Sequence, residues 1–255
     1  MFKKIRILIL LLILFFVSVS TLLTQARSTD WNDSLYVKVY PINADGSEAS
    51  EKYIERLELD DFKAIEEFVA REASRYGKTI KDPVRMELGE TVNEQPPAIG
   101  ESPNVLGIMW WSLKLRMWAS DVGGEQDRID PDVRIFVRYH EPQHEFALEN
   151  SVGLQKGMVG VVNAFASRHD AETNNVVIAH EFLHTLGATD KYDPVNGLPH
   201  FPLGYAEPDR SPLYPQRRAE IMGGRIAVSD REAYIPPSLK HVIIGAATAS
   251  EIRLQ

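Results

Sequence analysis

Asn174-Asn175-Val176-Val177-Ile178-Ala179-His180-Glu181-Phe182-Leu183-His184-Thr185-Leu186-Gly187-Ala188-Thr189-Asp190 is the stretch that decides the reading of this chain. Its apolar residues recur at helical spacing and Gly187 supplies a stop, so a helix is expected from about Thr173 to Leu186. Residues four apart share a helix face one turn apart, which lets His180 and His184 aim a ring nitrogen at one ion. Glu181 stands beside them, where a carboxylate can take a proton from water. Gly187 can adopt the left-handed conformation that turns the chain back, and Asp190 follows three residues later. Two histidines and one carboxylate leave a fourth position open, the pattern of a catalytic zinc. Asp193 competes with Asp190 for the third ligand, with the spacing favouring Asp190.

The same letters occur a second time, as His140-Glu141-Pro142-Gln143-His144. Pro142 cannot sit inside a helix without losing a hydrogen bond and clashing with the preceding turn, so these two imidazoles are not expected to share a face. That copy reads as a surface turn after a strand.

Outward from the helix, the elements alternate. Strands are expected over 34–42, 84–88, 133–139 and 158–164, and helices from about Asp60 to Gly77, over 104–120, and from near Pro237. The segment from Pro194 to Gln216, rich in Pro, Gly and Tyr, is expected to be irregular. This order predicts an α+β fold. The 104–120 helix carries Trp110, Trp111 and Trp118 beside Leu106, Met109, Leu113 and Met117, and large rings at helical spacing are expected to fill a core. The segment Gly157-Met158-Val159-Gly160-Val161-Val162-Asn163 just before the metal helix is expected to be an edge strand that pairs with extended substrate.

The run from Ile7 to Leu23 is apolar and preceded by Lys3, Lys4 and Arg6, the form of an export segment. Residues 1–26 are therefore read as a signal peptide, with Thr24-Gln25-Ala26 before the cleavage point, or as a retained membrane anchor. Either places the remainder outside the cytoplasm: extracellular, periplasmic, or tethered with the domain facing outward. A formal net charge of −8 argues against nucleic acid as a partner. With no cysteine in the chain, any metal must be held by His, Asp or Glu, and no thiol can serve as a latency switch.

HExxHxxGxxD with Met222 in Ala219-Glu220-Ile221-Met222-Gly223-Gly224 downstream resembles the metzincin clan of zinc endopeptidases, and in its aspartate ligand the snapalysins. The resemblance implies one catalytic domain over 30–255. Its upper lobe, about 30–187, would hold a twisted mixed sheet with helices, and its smaller irregular lower lobe, about 188–255, would end in a helix. It implies one catalytic Zn2+, a protein or peptide substrate, and a methionine turn under the metal with Met222 as the match. Tyr192 is a candidate supporting group, whereas Gly224 stands where some metzincins carry a tyrosine. Two other functions remain open at this stage: a cell-envelope binding protein with a purely structural zinc, and a zinc amidase acting on cell-wall peptide links.

Overall fold

The computed structural model describes residues 29–100, 104–124, 130–142, 151–154 and 158–255, with isolated positions 6, 11 and 12. Most of the 7–23 run and all of His144 and Gly157 lie outside the described residues. No described helix is long and apolar enough to cross a membrane.

Strands β1 (Leu35–Asn43), β2 (Val84–Leu88), β3 (Val133–His140), β4 (Val152–Leu154) and β5 (Val159–Phe165) form one sheet in the order β2-β1-β3-β5-β4. The first three and β5 run parallel, and β4 closes one edge antiparallel. Central parallel strands are covered on both faces, which is why β1, β3 and β5 read as nearly continuous apolar runs. The class is α+β, as the order of elements predicts.

Crossover handedness decides which face each helix covers. Helices α1 (Glu48–Ile54) and α2 (Lys63–Arg75) lie between β1 and β2, while α3 (Val105–Gly124) joins β2 to β3 and travels back the other way across the sheet. Right-handed connections in opposite directions place their helices on opposite faces. Accordingly Ile65, Phe68 and Val69 of α2 share a core with α4 (Ala171–Leu186), whereas Leu115 and Ala119 of α3 join Tyr40 and Phe136 in a separate core on the other face.

Three expectations are corrected. The 158–163 strand is not an edge: β5 lies between β3 and β4, so Val159, Gly160, Val161, Val162 and Asn163 are interior, and Met158 just precedes the strand. Its apolar character on both faces is the mark of that interior place. The α3 helix is not a wholly packed element. Leu115 and Ala119 are buried and Trp111 and Trp118 partly so, but Trp110 is 59% exposed and Met109 63%. Both of its faces are apolar, and one sheet can bury only one of them. Finally, the helix expected from near Pro237 is reduced to a single 3-10 turn, Leu239–His241. Val242-Ile243 form β9 against β6 (Ala219–Glu220), and α5 (Ala246–Glu251) starts only after Gly245. β-Branched residues and the Pro236-Pro237 pair favour extended backbone there. A ribbon of β7 (Ile226–Ala227) and β8 (Ala233–Tyr234) completes the sparse secondary structure after Leu186.

The chain after Leu186 is fastened by polar staples. The buried Glu72 carboxylate accepts from Arg71, Arg75 and the Ile244 amide, while Arg71 donates to the Leu239 and Val242 carbonyls, both at 3.0 Å. Buried Lys191 bonds Glu251 of α5 at 2.7 Å, and Glu251 also accepts from the Thr189 amide and hydroxyl. Burial raises the Glu251 pKa, but the Lys191 and Thr189 hydrogen bonds outweigh it and hold the group below its ordinary 4.5. A carboxyl depressed by folding stabilises above its unfolded pKa, and the contribution is lost as pH falls through the folded value. Urea unfolding of Glu251→Gln should therefore be less stable than wild type at pH 7, with the gap closing below pH 4.5. A gap that stays constant down to pH 3 would contradict this role.

Candidate metal centre

The metal helix α4 is anchored at both ends. Asn174 donates to the Phe165 carbonyl and accepts from its amide, tying the helix start to the end of β5. At the other end Gly187 takes φ +106, and the Ala188 amide returns to the Leu183 carbonyl at 3.1 Å. A left-handed residue here would be strained for any side chain but glycine, and it turns the chain toward Asp190.

Two backbone carbonyls then set the imidazoles. His180 Nδ1 lies 2.9 Å from the Ile221 carbonyl and His184 Nδ1 lies 2.8 Å from the Ala188 carbonyl. A carbonyl only accepts, so both Nδ1 atoms carry the proton, and in the neutral ring Nε2 is a bare lone pair. These two Nε2 atoms are 3.1 Å apart, and Asp190 Oδ1 is 3.1 Å from each. Three acceptors thus converge on one point. Such a group demands positive charge between its members, a proton or a cation.

The electrostatics express the same demand. Burial works against the His180 imidazolium, yet the Asp190 carboxylate and Glu181 beside it raise the His180 pKa overall. Asp190, although half-buried, is pulled well below the usual carboxylate range by the two imidazoles. A tetrahedral zinc with bonds of about 2.0–2.1 Å has ligand edges of roughly 3.3–3.4 Å, so a 3.1 Å triangle fits after a shift of a few tenths of an ångström. The donor set suits it too, being borderline nitrogen with one carboxylate and no sulfur.

Glu181 contributes differently. Its ligand atom lies within 4.8 Å of those of both histidines. The Gly153 amide of β4 bonds its carboxylate, yet Oε2 is buried and without a hydrogen-bond partner among the described residues. Burial raises the Glu181 pKa, against the opposing pull of His180 and His184. A buried carboxyl whose pKa is raised and one of whose oxygens lacks a partner among the described residues is suited to exchanging a proton with a bound molecule.

Met222 is fully buried in the 3-10 turn Ile221–Gly223, whose Ile221 carbonyl orients His180 and whose Met222 carbonyl accepts the Lys191 amide at 2.8 Å. Tyr192 packs its ring 6.2 Å from that of His180, and burial followed by the charges of Asp190 and Glu181 raises its pKa. The ring lies 3.9 Å from where a side chain at Gly224 would begin. Asp193 is not part of the cluster: its carboxylate accepts from the Val195 amide and Asn196, capping a turn. Of the decoy motif, His140 ends β3 with its Nε2 3.1 Å from the Asn163 amide oxygen, so it too lies apart.

Three contributors escaped the sequence. The buried Glu220 carboxylate accepts from the Gly223 and Gly245 amides and the Thr248 hydroxyl, fixing the turn that carries Ile221 and Met222. The Lys191–Glu251 pair holds the chain on either side of Asp190. Gly153 lets β4 approach α4: a Cβ there would stand 2.4 Å from the Glu181 carbonyl and 2.5 Å from His184 Cβ. An acid in Ala-Glu-Ile-Met-Gly-Gly was a usable signal for the first. A glycine in a three-residue strand was not.

No family model matches the chain, and no curated protein matches it. Among solved structures it is similar to a chain of a chaperone-substrate complex, at 14% identity and TM-score 0.40, over 87% of this chain and 38% of that one. It is also similar to wild-type OgpA from Akkermansia muciniphila, at 12% identity and TM-score 0.38, over 85% of this chain and 59% of that one. A catalytically inactive OgpA in complex with an O-glycopeptide substrate, glycodrosocin, gives 11% identity and TM-score 0.35, over 85% and 58%. The chain spans between about two-fifths and three-fifths of these proteins. At such TM-scores the likenesses carry no argument, and the reading of the site rests on its own geometry.

Because backbone and side-chain atoms of the metal helix crowd Gly153, Gly153→Ala should displace β4 or α4. Zinc affinity measured by competition with a chelator should fall roughly tenfold or more, as for loss of an outer-shell partner. Unchanged affinity and unchanged thermal stability would contradict the close approach.

Proposed function

We propose that this protein is an exported zinc-dependent endopeptidase of the metzincin kind, with His180, His184 and Asp190 as ligands and Glu181 as general base. One observation carries the reading: the triangle of three acceptors at 3.1 Å, their protons committed elsewhere, with a buried and underbonded carboxylate next to it. Zinc, when bound there, supplies a Lewis acid that polarises a carbonyl and lowers the pKa of water.

The chain's own residues do the rest. Glu181 Oε2, without a hydrogen-bond partner among the described residues, accepts a proton from the attacking water and returns it to the leaving amine; its raised pKa favours the first of these transfers. The Tyr192 ring packs 6.2 Å from that of His180, and its hydroxyl, with a raised pKa, is the candidate donor to the developing oxyanion. The role first given to the 158–163 strand passes to β4, the antiparallel edge strand beside α4, whose outer backbone groups suit an extended peptide. The opposite wall is the loop after Tyr192, tied back by the Tyr192↔Pro199 bridge and carrying exposed Val195, Phe201 and Leu203.

A structural zinc in a binding protein is the competing reading. Burying an underbonded carboxylate costs free energy that a structural site has no use for, so Glu181 Oε2 favours the catalytic one. Export rests on the basic and apolar N-terminal run.

The test pairs metal analysis with cleavage of a peptide library by wild type and Glu181→Gln. The variant should keep one zinc per chain while its kcat/KM falls by roughly 10²–10⁴. A wild type that binds zinc and cleaves nothing would favour the binding-protein reading, and a variant with full activity would remove Glu181 from the mechanism.

A further inference from the structure

The α3 helix lies on the sheet face away from the metal helix, and it is apolar on two sides. One side, centred on Leu115 and Ala119, packs on Tyr40 and Phe136. The other carries Val105, Leu106, Met109, Trp110, Leu113 and Met117, all exposed, with Leu106 at 74% and Val105 at 73%. At 100° per residue these six fall within an arc of about 140°, a continuous stripe some 18 Å long over 12 residues of rise. No element among the described residues covers it. Scattered apolar side chains on a surface need no explanation, but a contiguous stripe that includes an exposed tryptophan marks a contact surface.

We propose that this stripe is an in-plane contact with a lipid bilayer, seating the domain on the membrane with the metal centre on the far side of the sheet. Four observations favour lipid over a protein partner. The stripe is a ridge along a helix, with no pocket against it among the described residues, which suits a plane. From Val105 to Ser120 there is no acidic residue, although the chain as a whole carries −8; Lys114 flanks the stripe, and the partly buried Arg116 lies within its arc between Val105 and Met109, so both can complement anionic headgroups. The Lys114 ammonium lies 5.7 Å from the Trp110 ring centroid, so its stem runs along the apolar surface with the charge at the margin, as at a headgroup boundary. Finally, where the apolar 7–23 run is retained as an anchor, the seven residues 24–30 join it to the domain and reach at most about 25 Å. A domain held that close to a bilayer meets it at little further entropic cost. Because the net charge of the whole is repelled by an anionic surface, the apolar stripe must contribute more than Lys114 and Arg116 do.

This inference is independent of the peptidase reading, and the absence of cysteine makes it directly testable. Nitroxide labels are placed on Met109→Cys, Met117→Cys and, on the opposite side of the sheet, Glu67→Cys, in the full chain reconstituted into phosphatidylcholine vesicles with a minor share of phosphatidylglycerol. In the vesicles, labels at 109 and 117 should show a several-fold higher ratio of oxygen to nickel-chelate collisions than the label at 67, the signature of immersion in acyl chains. Equal ratios at all three sites would overturn the proposal. So would labels at 109 and 117 that are immobilised and shielded from both reagents, because that outcome means another protein surface covers the stripe.

Discussion

Two hydrogen bonds to backbone carbonyls, Ile221 to His180 and Ala188 to His184, fix what this structure can do. Each commits a ring proton outward and leaves an unprotonated nitrogen facing inward, and Asp190 adds an anion to the pair. The convergence is unfavourable by itself, since three lone pairs approach within 3.1 Å. It is held by structure built elsewhere in the chain and relieved by a cation. The capacity of this cluster to hold a metal therefore depends on the two carbonyls, which keep both imidazoles with a bare nitrogen facing inward, as much as on the three side chains themselves.

Each carbonyl depends on a distant part of the fold. Ala188 is positioned by the left-handed Gly187, so its bond is local to the end of the metal helix. Ile221 belongs to a turn clamped by Glu220, whose carboxylate reaches α5, and α5 in turn grips Thr189 and Lys191 through Glu251. Asp190 thus sits between two residues tied to the same short helix. With so little regular secondary structure after Leu186, buried charge networks do the positioning that a sheet would otherwise do, and removing one partner of such a network is costly. On the other side Gly153 brings β4 against the metal helix, which joins the candidate substrate edge to the same frame.

What could be read from the letters follows local physics. The helix carrying His180 and His184 was legible because its period, its glycine stop and its ligand spacing are all short-range. The decoy at His140 was legible for the same reason, through Pro142. The central strands β1, β3 and β5 were visible as apolar runs, but whether β5 lay inside or at the edge turned on β4, three residues with almost no pattern of their own. The failure at α3 has a different cause: a helix apolar all round signals full burial, and only the topology reveals that a single sheet lies on one side of it. The choice between Asp190 and Asp193 likewise needed the path of the chain after Gly187, which turns Asp193 into the cap of its own turn.

X-ray absorption of the zinc-loaded protein at the metal edge reads the ligand set itself. The expected spectrum is one zinc per chain with two imidazole nitrogens and one carboxylate oxygen from the protein, and loss of one imidazole in His184→Ala. A spectrum fitted by oxygen ligands alone, or one that the substitution leaves unchanged, would contradict it.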